Sequence, residues 1–176
     1  VDMSNDRAAF NAKVIEEFRA NNGQVSLLST GPVVLLTHTG AKTGQQRVCP
    51  LVYATDAGRV VVAASKAGAP NHPHWYLNLV ANPTVTLEVG TDKYQARAVT
   101  ATGTERERLY RVIADAMPVF NEYAAKTTRE IPVVVFERLG RFDNVDGSLA
   151  LGDQRLVQVL EVLVVRAAEA NEHVLA

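Results

Sequence analysis

The chain has only one cysteine, Cys49, among its 176 residues, and aromatic residues make up only 6%. A single cysteine excludes an internal disulfide and is typical of a reducing compartment. With 18 Lys and Arg against 19 Asp and Glu, the chain also lacks the basic excess of nucleic-acid-binding proteins. No apolar run approaches the ~20 residues of a membrane span, and no signal peptide is recognisable. The sequence therefore predicts a cytoplasmic globular protein that does not bind nucleic acid.

Short segments rich in β-branched residues dominate the chain from residue 25 to residue 101. With one later segment, the predicted strands are 25–29, 32–39, 46–55, 59–65, 84–89, 93–101 and 131–139. Their short connections favour antiparallel pairing. About six such strands with helices between them should close into a small barrel, because closure leaves no open sheet edge.

The N-terminal segment from Ser4 to Gly23 is predicted to form a helix capped by Ser4, Asn5 or Asp6. Its apolar face carries Phe10, Val14 and Phe18. We expect this face to pack on the domain. The alternatives are a lid over a substrate and a peripheral contact with a membrane surface.

Three further helices are predicted. A short one covers residues 74–82 and ends before Pro83. A longer one covers 102–118, with a capping box of Thr104 and Glu107 and an apolar stripe of Leu109, Val112, Ile113 and Ala116. Residues 153–176 also have a helical pattern. We predict a barrel domain at 1–139 and a C-terminal extension at 140–176 that packs on the barrel or on a partner subunit in a homodimer.

The candidate chemical groups are few. His72 and His74 lie two residues apart, but no third ligand is near them, so no metal site is predicted. Cys49 precedes a proline within a strand and has no neighbouring base, which indicates a structural role. If the protein is an enzyme, a cofactor should therefore supply the chemistry.

A local excess of positive charge is the main functional indication from the residues themselves. Residues 42–66 contain Lys42, Arg47, Arg59 and Lys66 but only one acidic residue, Asp56. These cations could hold an anionic ligand, or they could be solvated turn residues. The neighbouring aromatic pair at 75–76 slightly favours a flat ligand. The sequence "TGAKTG" is not a Walker A motif, because its glycine spacing is wrong and a strand follows it.

Three segments, "PVVLLTHTGAKTGQQRVCPLVY", "GRVVVAASKAGAPNHPHWYLNLVANPTVTL" and "REIPVVVFERL", resemble the deazaflavin-dependent nitroreductase family of actinobacteria. Residues 63–83 carry the most specific part of this resemblance. It implies an α+β split β-barrel that uses the reduced deazaflavin coenzyme F420. The chain is thereby identified as an oxidoreductase that passes a hydride to an electron-poor small molecule, such as a quinone, an enone or a nitroaromatic compound.

The resemblance also implies roles for particular residues. The turn at 40–44 with Arg47 would hold the phosphate and acidic tail of the coenzyme, and residues 47–52 and 63–66 would lie along the deazaflavin. The implied coenzyme-binding set is Ala41, Lys42, Thr43, Arg47, Val48, Cys49, Pro50, Leu51, Val52, Ala63, Ala64, Ser65, Lys66, His74, Trp75, Tyr76, Leu77 and Asn78. Ser65 and Tyr123 are the candidate hydrogen-bond donors to the substrate.

One departure from the family pattern concerns Phe120, which we place in the substrate site. Family members that reduce nitroimidazoles have a tyrosine at this position, so we expect quinone or enone reduction rather than nitroreduction. Two alternatives remain at this point. The first is a split-barrel reductase that uses FMN, and the second is a non-catalytic carrier of the deazaflavin.

Overall fold

The computed structural model describes residues 3–140, with side chains from residue 6 onward. The helices within this range are α1 (Met3–Ala20), α2 (His74–Ala81), α3 (Gly103–Ala116) and α4 (Val119–Ala125). The strands are β1 (Val33–Thr39), β2 (Gln46–Val52), β3 (Ala54–Asp56), β4 (Arg59–Ala63), β5 (Thr84–Val89), β6 (Asp92–Ala101) and β7 (Val133–Arg138). The predicted helix at 153–176 lies outside the described residues.

The seven strands form one antiparallel sheet in the order β2-β1-β5-β6-β7-β4-β3. The predicted antiparallel pairing is thus confirmed. The last strand, β7, does not lie at an edge but between β6 and β4. The sheet is therefore assembled from strands that are far apart in the sequence.

The two strands at opposite ends of this order, β2 and β3, are separated in sequence by Tyr53 alone. Since adjacent Cα atoms are 3.8 Å apart, the sheet must curl until its two ends approach each other. The backbone N–H of Tyr53 donates to the carbonyl of Pro32 at 3.0 Å. The predicted strand at 46–55 is therefore two strands, one at each end of the sheet. The α+β split barrel is confirmed.

The predicted strand at 25–29 is wrong, because this segment is irregular. The carboxylate of Glu17, from α1, accepts the backbone N–H groups of Ser26 at 2.8 Å and Leu27 at 3.2 Å. These N–H groups are consequently not free to pair with a neighbouring strand. The apolar pattern instead reflects packing, since Val25 and Leu28 lie against the cluster beneath α1.

The predicted helices at 4–23, 74–82 and 102–118 are confirmed, but the predicted caps are wrong. Helix α1 begins at Met3, ahead of the three proposed capping residues, and ends at Ala20, before the turn at residues 21–23. Helix α3 is capped by Thr102 without a side-chain bond, so Thr104 lies inside the helix and forms no capping box. Its buried stripe also differs, because Ala116 is exposed. Tyr110 and Ala114 are buried instead.

The curled sheet is buried on both faces near the site. Val60 and Val62 of β4 belong to the barrel interior, which Trp75 of α2 covers. Val61, between them, packs in the cluster formed with α3 and α4. Successive side chains of a strand point to opposite faces, so this strand needs a continuous apolar run. Helix α1 packs through Val14 and Phe18, whereas Phe10 is 41% exposed.

Candidate active site

A cavity of about 330 Å³ opens between β2, the turn after β4, and the helices α1 and α4. Its volume is within the range of small-molecule sites. The lining residues are Arg7, Asn11, Leu28, Thr30, Cys49, Pro50, Leu51, Val52, Ala63, Ser65, Lys66, Ala67, Pro73, Trp75, Phe120 and Tyr123. This lining includes two cations and no acidic residue, so the cavity is suited to a ligand that carries negative charge.

Strand β2 provides one wall of the cavity, from Cys49 to Val52. Pro50 is compatible with this strand because β2 is an edge strand of the sheet, and its free side needs no backbone N–H bond. Burial raises the pKa of the Cys49 thiol to about 11, although the charge of Arg7 acts in the opposite direction. The thiol therefore stays protonated at neutral pH and is a poor nucleophile.

The chain turns sharply after β4 and brings Ser65 and Lys66 to the cavity. Ser65 is only 7% exposed, and its hydroxyl makes no hydrogen bond with another of residues 6–140. The ammonium of Lys66 donates to Oδ1 of Asn71 at 2.7 Å. A hydroxyl that is accessible from a cavity and has no partner among these residues can donate to a bound molecule.

Helix α4 provides the opposite wall through Phe120 and Tyr123. Their rings meet edge to face, with centroids 5.4 Å apart. The hydroxyl of Tyr110, from α3, donates to the carbonyl of Phe120 at 2.8 Å and anchors the helix. The two substrate-side residues predicted from the sequence, Phe120 and Tyr123, thus lie at the same cavity as Ser65.

The turn at residues 40–44 lies at the end of β1, and Ala41 to Thr43 are exposed. Two backbone hydrogen bonds close the turn. The N–H of Gly40 donates to the carbonyl of Gln45 at 2.8 Å, and the N–H of Gly44 donates to the carbonyl of Gly40. Neither Lys42 nor Arg47 takes part in the ion pairs of the described residues. By contrast, Arg59 is paired with Asp56 at 2.8 Å, so it does not contribute to the predicted cation cluster.

Asn78 of α2 connects this turn to a buried histidine. Its Oδ1 accepts the backbone N–H of Ala41 at 2.9 Å, so its Nδ2 must be the group that faces Nδ1 of His38, at 3.1 Å. An amide nitrogen can only donate, and Nδ1 of His38 therefore accepts and carries no proton. Burial lowers the pKa of His38, and the charge of Arg47 lowers it further. His38 is thus a neutral residue that orients Asn78.

The structure brings only part of the expected coenzyme-binding set to the cavity. Cys49 to Val52, Ala63, Ser65, Lys66 and Trp75 line it. The side chain of Ala64 is fully buried in the barrel interior. The remaining members do not line the cavity; they are Ala41, Lys42, Thr43, Arg47, Val48, His74, Tyr76, Leu77 and Asn78. Leu77 is 50% exposed.

Several residues at the site were not predicted from the sequence. Arg7 and Asn11, one helical turn apart on α1, both line the cavity. Their spacing of four residues is the only available indication that they share a face. His38 contacts the side chain of Asn78, and Arg129 contacts the backbone carbonyls of Ala64 and Ser65. No sequence pattern distinguishes a buried histidine or an arginine bound to carbonyls from an ordinary strand or loop residue.

Residues 3–140 contain no group of three or more metal-ligating side chains placed to hold an ion. His72 is held by Arg129, with Nδ1 of His72 3.2 Å from Nη1 of Arg129, and His74 is exposed at the start of α2. Among the helices in this part of the chain, none combines the length and apolar character needed to cross a membrane.

The fold and the cavity define a split-barrel protein with a cavity of small-molecule size that is lined by two cations. A family model described as F420H(2)-dependent quinone reductase matches residues 11–138. The chain belongs to this family. It is therefore an oxidoreductase that uses coenzyme F420. The cofactor and enzyme class expected from the sequence are confirmed, whereas the FMN and carrier alternatives are not supported.

Known relatives agree with this assignment. An F420H(2)-dependent quinone reductase of Mycobacterium tuberculosis is 37% identical over 126 residues, which cover 69% of this chain and 85% of the relative. A solved F420-H2 dependent reductase, FDR-A, is 42% identical, with a TM-score of 0.57 over 60% of this chain and 94% of its own. A structure described as a domain-swapped dimer is 38% identical, with a TM-score of 0.59 over 72% of this chain and 96% of its own.

Proposed function

We propose that this protein transfers a hydride from reduced F420 to a quinone-type acceptor in the cavity between β2 and α4. One observation carries the proposal. The cavity is lined both by residues expected at the deazaflavin, such as Leu51 and Lys66, and by residues expected at the acceptor, Phe120 and Tyr123. Hydride transfer requires the two molecules to be in contact, and a shared cavity provides that.

The composition of the cavity wall fits a flat, negatively charged group. Leu51, Val52 and Trp75 provide apolar contact surface, and Lys66 and Arg7 provide positive charge. When bound, the coenzyme would supply the hydride. The protein residues would exclude water and fix the orientation of the ring.

We propose that the acidic tail of the coenzyme binds outside this cavity, at the turn of residues 40–44. Lys42 and Arg47 are exposed there and have no acidic partner among the described residues. The hydrogen bond from Ala41 to Asn78 fixes the turn against α2. A pre-ordered turn that carries Lys42, with Arg47 nearby in β2, can form charge-assisted hydrogen bonds without a large ordering cost.

Ser65 and Tyr123 would act on the acceptor. Reduction of a quinone places negative charge on its oxygen, which a hydroxyl donor stabilises. The hydroxyl of Ser65 has no partner among residues 6–140, and Tyr123 lies on the facing wall. Phe120 offers no hydroxyl group. Since the members that reduce nitroimidazoles have a tyrosine at this position, we infer that quinones are preferred over nitroimidazoles.

The proposal can be tested by mixing purified protein with reduced F420 and menadione without oxygen, while following the absorbance of the oxidised coenzyme. We expect enzyme-dependent oxidation that is at least about tenfold slower in Ser65→Ala and Tyr123→Phe, with little change in coenzyme affinity for Tyr123→Phe. Tight binding of the coenzyme without turnover of quinones, enones or nitroaromatics would identify a carrier instead.

Homodimer formation and membrane contact remain predictions. One solved relative is described as a domain-swapped dimer, which supports testing the oligomeric state by sedimentation. Phe10 is the exposed apolar residue that α1 would offer to a membrane surface. Co-sedimentation with vesicles, with Phe10→Ser as the control, would detect that contact.

A further inference from the structure

The turn that follows β4 contains three consecutive residues with left-handed backbone angles. The φ values are 49° for Lys66, 53° for Ala67 and 80° for Gly68. Only the last is glycine, and residues with a Cβ atom rarely adopt this conformation. Lys66 and Ala67 also line the cavity. A backbone in an unfavourable conformation therefore forms part of the site, and contacts elsewhere must hold it.

Arg129, in the loop before β7, makes these contacts. Its Nη2 donates to the carbonyls of Ala64 at 3.1 Å and Ser65 at 2.8 Å, on the near side of the turn. Its Nε donates to the carbonyl of Ala69 at 2.9 Å, on the far side. No ion pair of the described residues involves Arg129. Its charge is directed to backbone oxygens, with which it forms charge-assisted hydrogen bonds.

The other side of the turn is fixed by α4. A Cβ atom on Gly68 would lie 2.7 Å from Cβ of Lys126 and 2.9 Å from the carbonyl oxygen of Tyr123. The turn is thus confined between the guanidinium group and the helix that carries Phe120 and Tyr123. If the turn relaxed, Ser65 and Lys66 would move relative to the substrate-side wall.

We propose that Arg129 is a positioning residue for hydride transfer, which holds the left-handed turn at 66–68 so that Ser65 and Lys66 face the bound molecules. The proposal rests on the function proposed above, because that function gives the cavity its ligands. The planar fork of arginine is required, since one group must reach carbonyls on both sides of the turn. A lysine has a single ammonium and cannot span them in the same way.

The test uses the full chain with Arg129→Lys, and with Arg106→Lys as the matched control. Arg106 also donates to a backbone carbonyl, that of Ile131, at 3.0 Å from Nε and 2.6 Å from Nη2, but it does not contact the turn. We expect Arg129→Lys to lower kcat/KM with reduced F420 by about tenfold or more. Arg106→Lys should lower the unfolding temperature to a similar degree without that loss.

A second substitution tests the backbone argument directly. Ala67→Gly removes the Cβ that makes the left-handed conformation unfavourable. We expect it to raise kcat/KM about fivefold more in the Arg129→Lys background than in the parent protein. Equal effects in the two backgrounds would overturn the proposal, and so would an Arg129→Lys variant with parental kcat/KM.

Amide hydrogen exchange of the protein without ligands provides a readout that does not depend on turnover. The N–H groups of Gly68 and Ala69 donate within the turn, to the carbonyls of Ser65 at 3.0 Å and Lys66 at 3.1 Å. Both amides should exchange about tenfold faster in Arg129→Lys but not in Arg106→Lys. Unchanged exchange would refute the positioning role. Absence of turnover in the parent protein would instead refute the proposed function, and the exchange result would still decide the role of Arg129.

Discussion

The amide nitrogen of Asn78 lies 3.1 Å from Nδ1 of His38, and this hydrogen bond requires a neutral imidazole. If His38 took up a proton, two donors would face each other, because Oδ1 of Asn78 already accepts the N–H of Ala41. Protonation of one buried ring would thus disturb the turn at residues 40–44. The protonation state of His38 is linked to the geometry of the proposed anion site.

A first prediction concerns stability and pH. Burial, then Arg47, holds the pKa of His38 below its ordinary value of 6.5, so the unfolded chain binds this proton more readily than the folded protein. The free energy of unfolding therefore decreases as the pH falls through about 6.5, because the unfolded chain then gains the proton on His38. Above that pH the ring is neutral in both states, and this penalty is absent. His38→Asn keeps an acceptor near Nδ1 but does not titrate. The unfolding temperature of this variant should decrease less between about pH 7.5 and pH 5.5 than that of the parent.

The control for this measurement is His74→Asn, at an exposed position. Its unfolding temperature should depend on pH in the same way as that of the parent. If His38→Asn behaved identically to the parent, the neutral-histidine interpretation would be wrong.

A second prediction separates charge from geometry in the proposed tail site. Lys42→Ala combined with Arg47→Ala should weaken F420 binding by about tenfold or more at low salt, and the loss should shrink as salt increases. Asn78→Ala removes no charge but frees Ala41. It should weaken binding by about fivefold at every salt concentration. Coenzyme fluorescence titrations at two ionic strengths measure both effects. A salt-dependent loss in Asn78→Ala would contradict the geometric role.

A third prediction concerns Phe120, which is 3% exposed and packs edge to face on Tyr123. Phe120→Tyr adds a hydroxyl at the cavity wall and should raise the ratio of nitroimidazole to menadione turnover several-fold. The protein should also lose about 1 kcal/mol of unfolding free energy, because a buried hydroxyl lacks a full set of partners. Parallel turnover assays with both acceptors measure the ratio. An unchanged ratio would show that this position does not select the acceptor.

A fourth prediction concerns Gly68, where a side chain would meet both an unfavourable φ and the backbone of α4. Gly58 is the matched control, because its φ is +76° and nothing lies within 4 Å of an added Cβ. Gly58→Ala should cost about 1 kcal/mol through backbone strain alone. Gly68→Ala should cost about 3 kcal/mol, since α4 must also move. Urea denaturation measures both losses of unfolding free energy. Equal losses in the two variants would show that the turn is not closely packed against α4.

Much of the fold could be predicted because local patterns and packing agree. Strands β1, β4 and β7 each contain a run of consecutive buried β-branched or aliphatic residues, at 33–36, 60–62 and 133–135. These runs are buried on both faces, so their pattern is unambiguous. Residues 25–29 have a similar composition but lie under α1, where Glu17 binds their N–H groups. Composition alone cannot distinguish these two environments.

The parts of the site that were not predicted depend on contacts between segments that are distant in the sequence. Ser65, Lys66 and Trp75 fall within one motif, and the resemblance to known relatives indicates them together. Arg129 reaches the turn across 60 or more positions of sequence, and Asn78 reaches His38 across 40. Such hydrogen bonds leave no periodic signal, because any polar residue at the right place in the fold can make them.

The central position of β7 has a consequence for how the protein is made. This strand joins β6 to β4, yet it is the last strand of the described chain to leave the ribosome. Until residues 133–138 have emerged, β4 and β6 lack their common neighbour and the two halves of the sheet are not connected. The barrel can therefore be completed only after residues 133–138 have emerged. Arg129 emerges only four residues before β7, so the active-site turn and the barrel become complete at nearly the same moment.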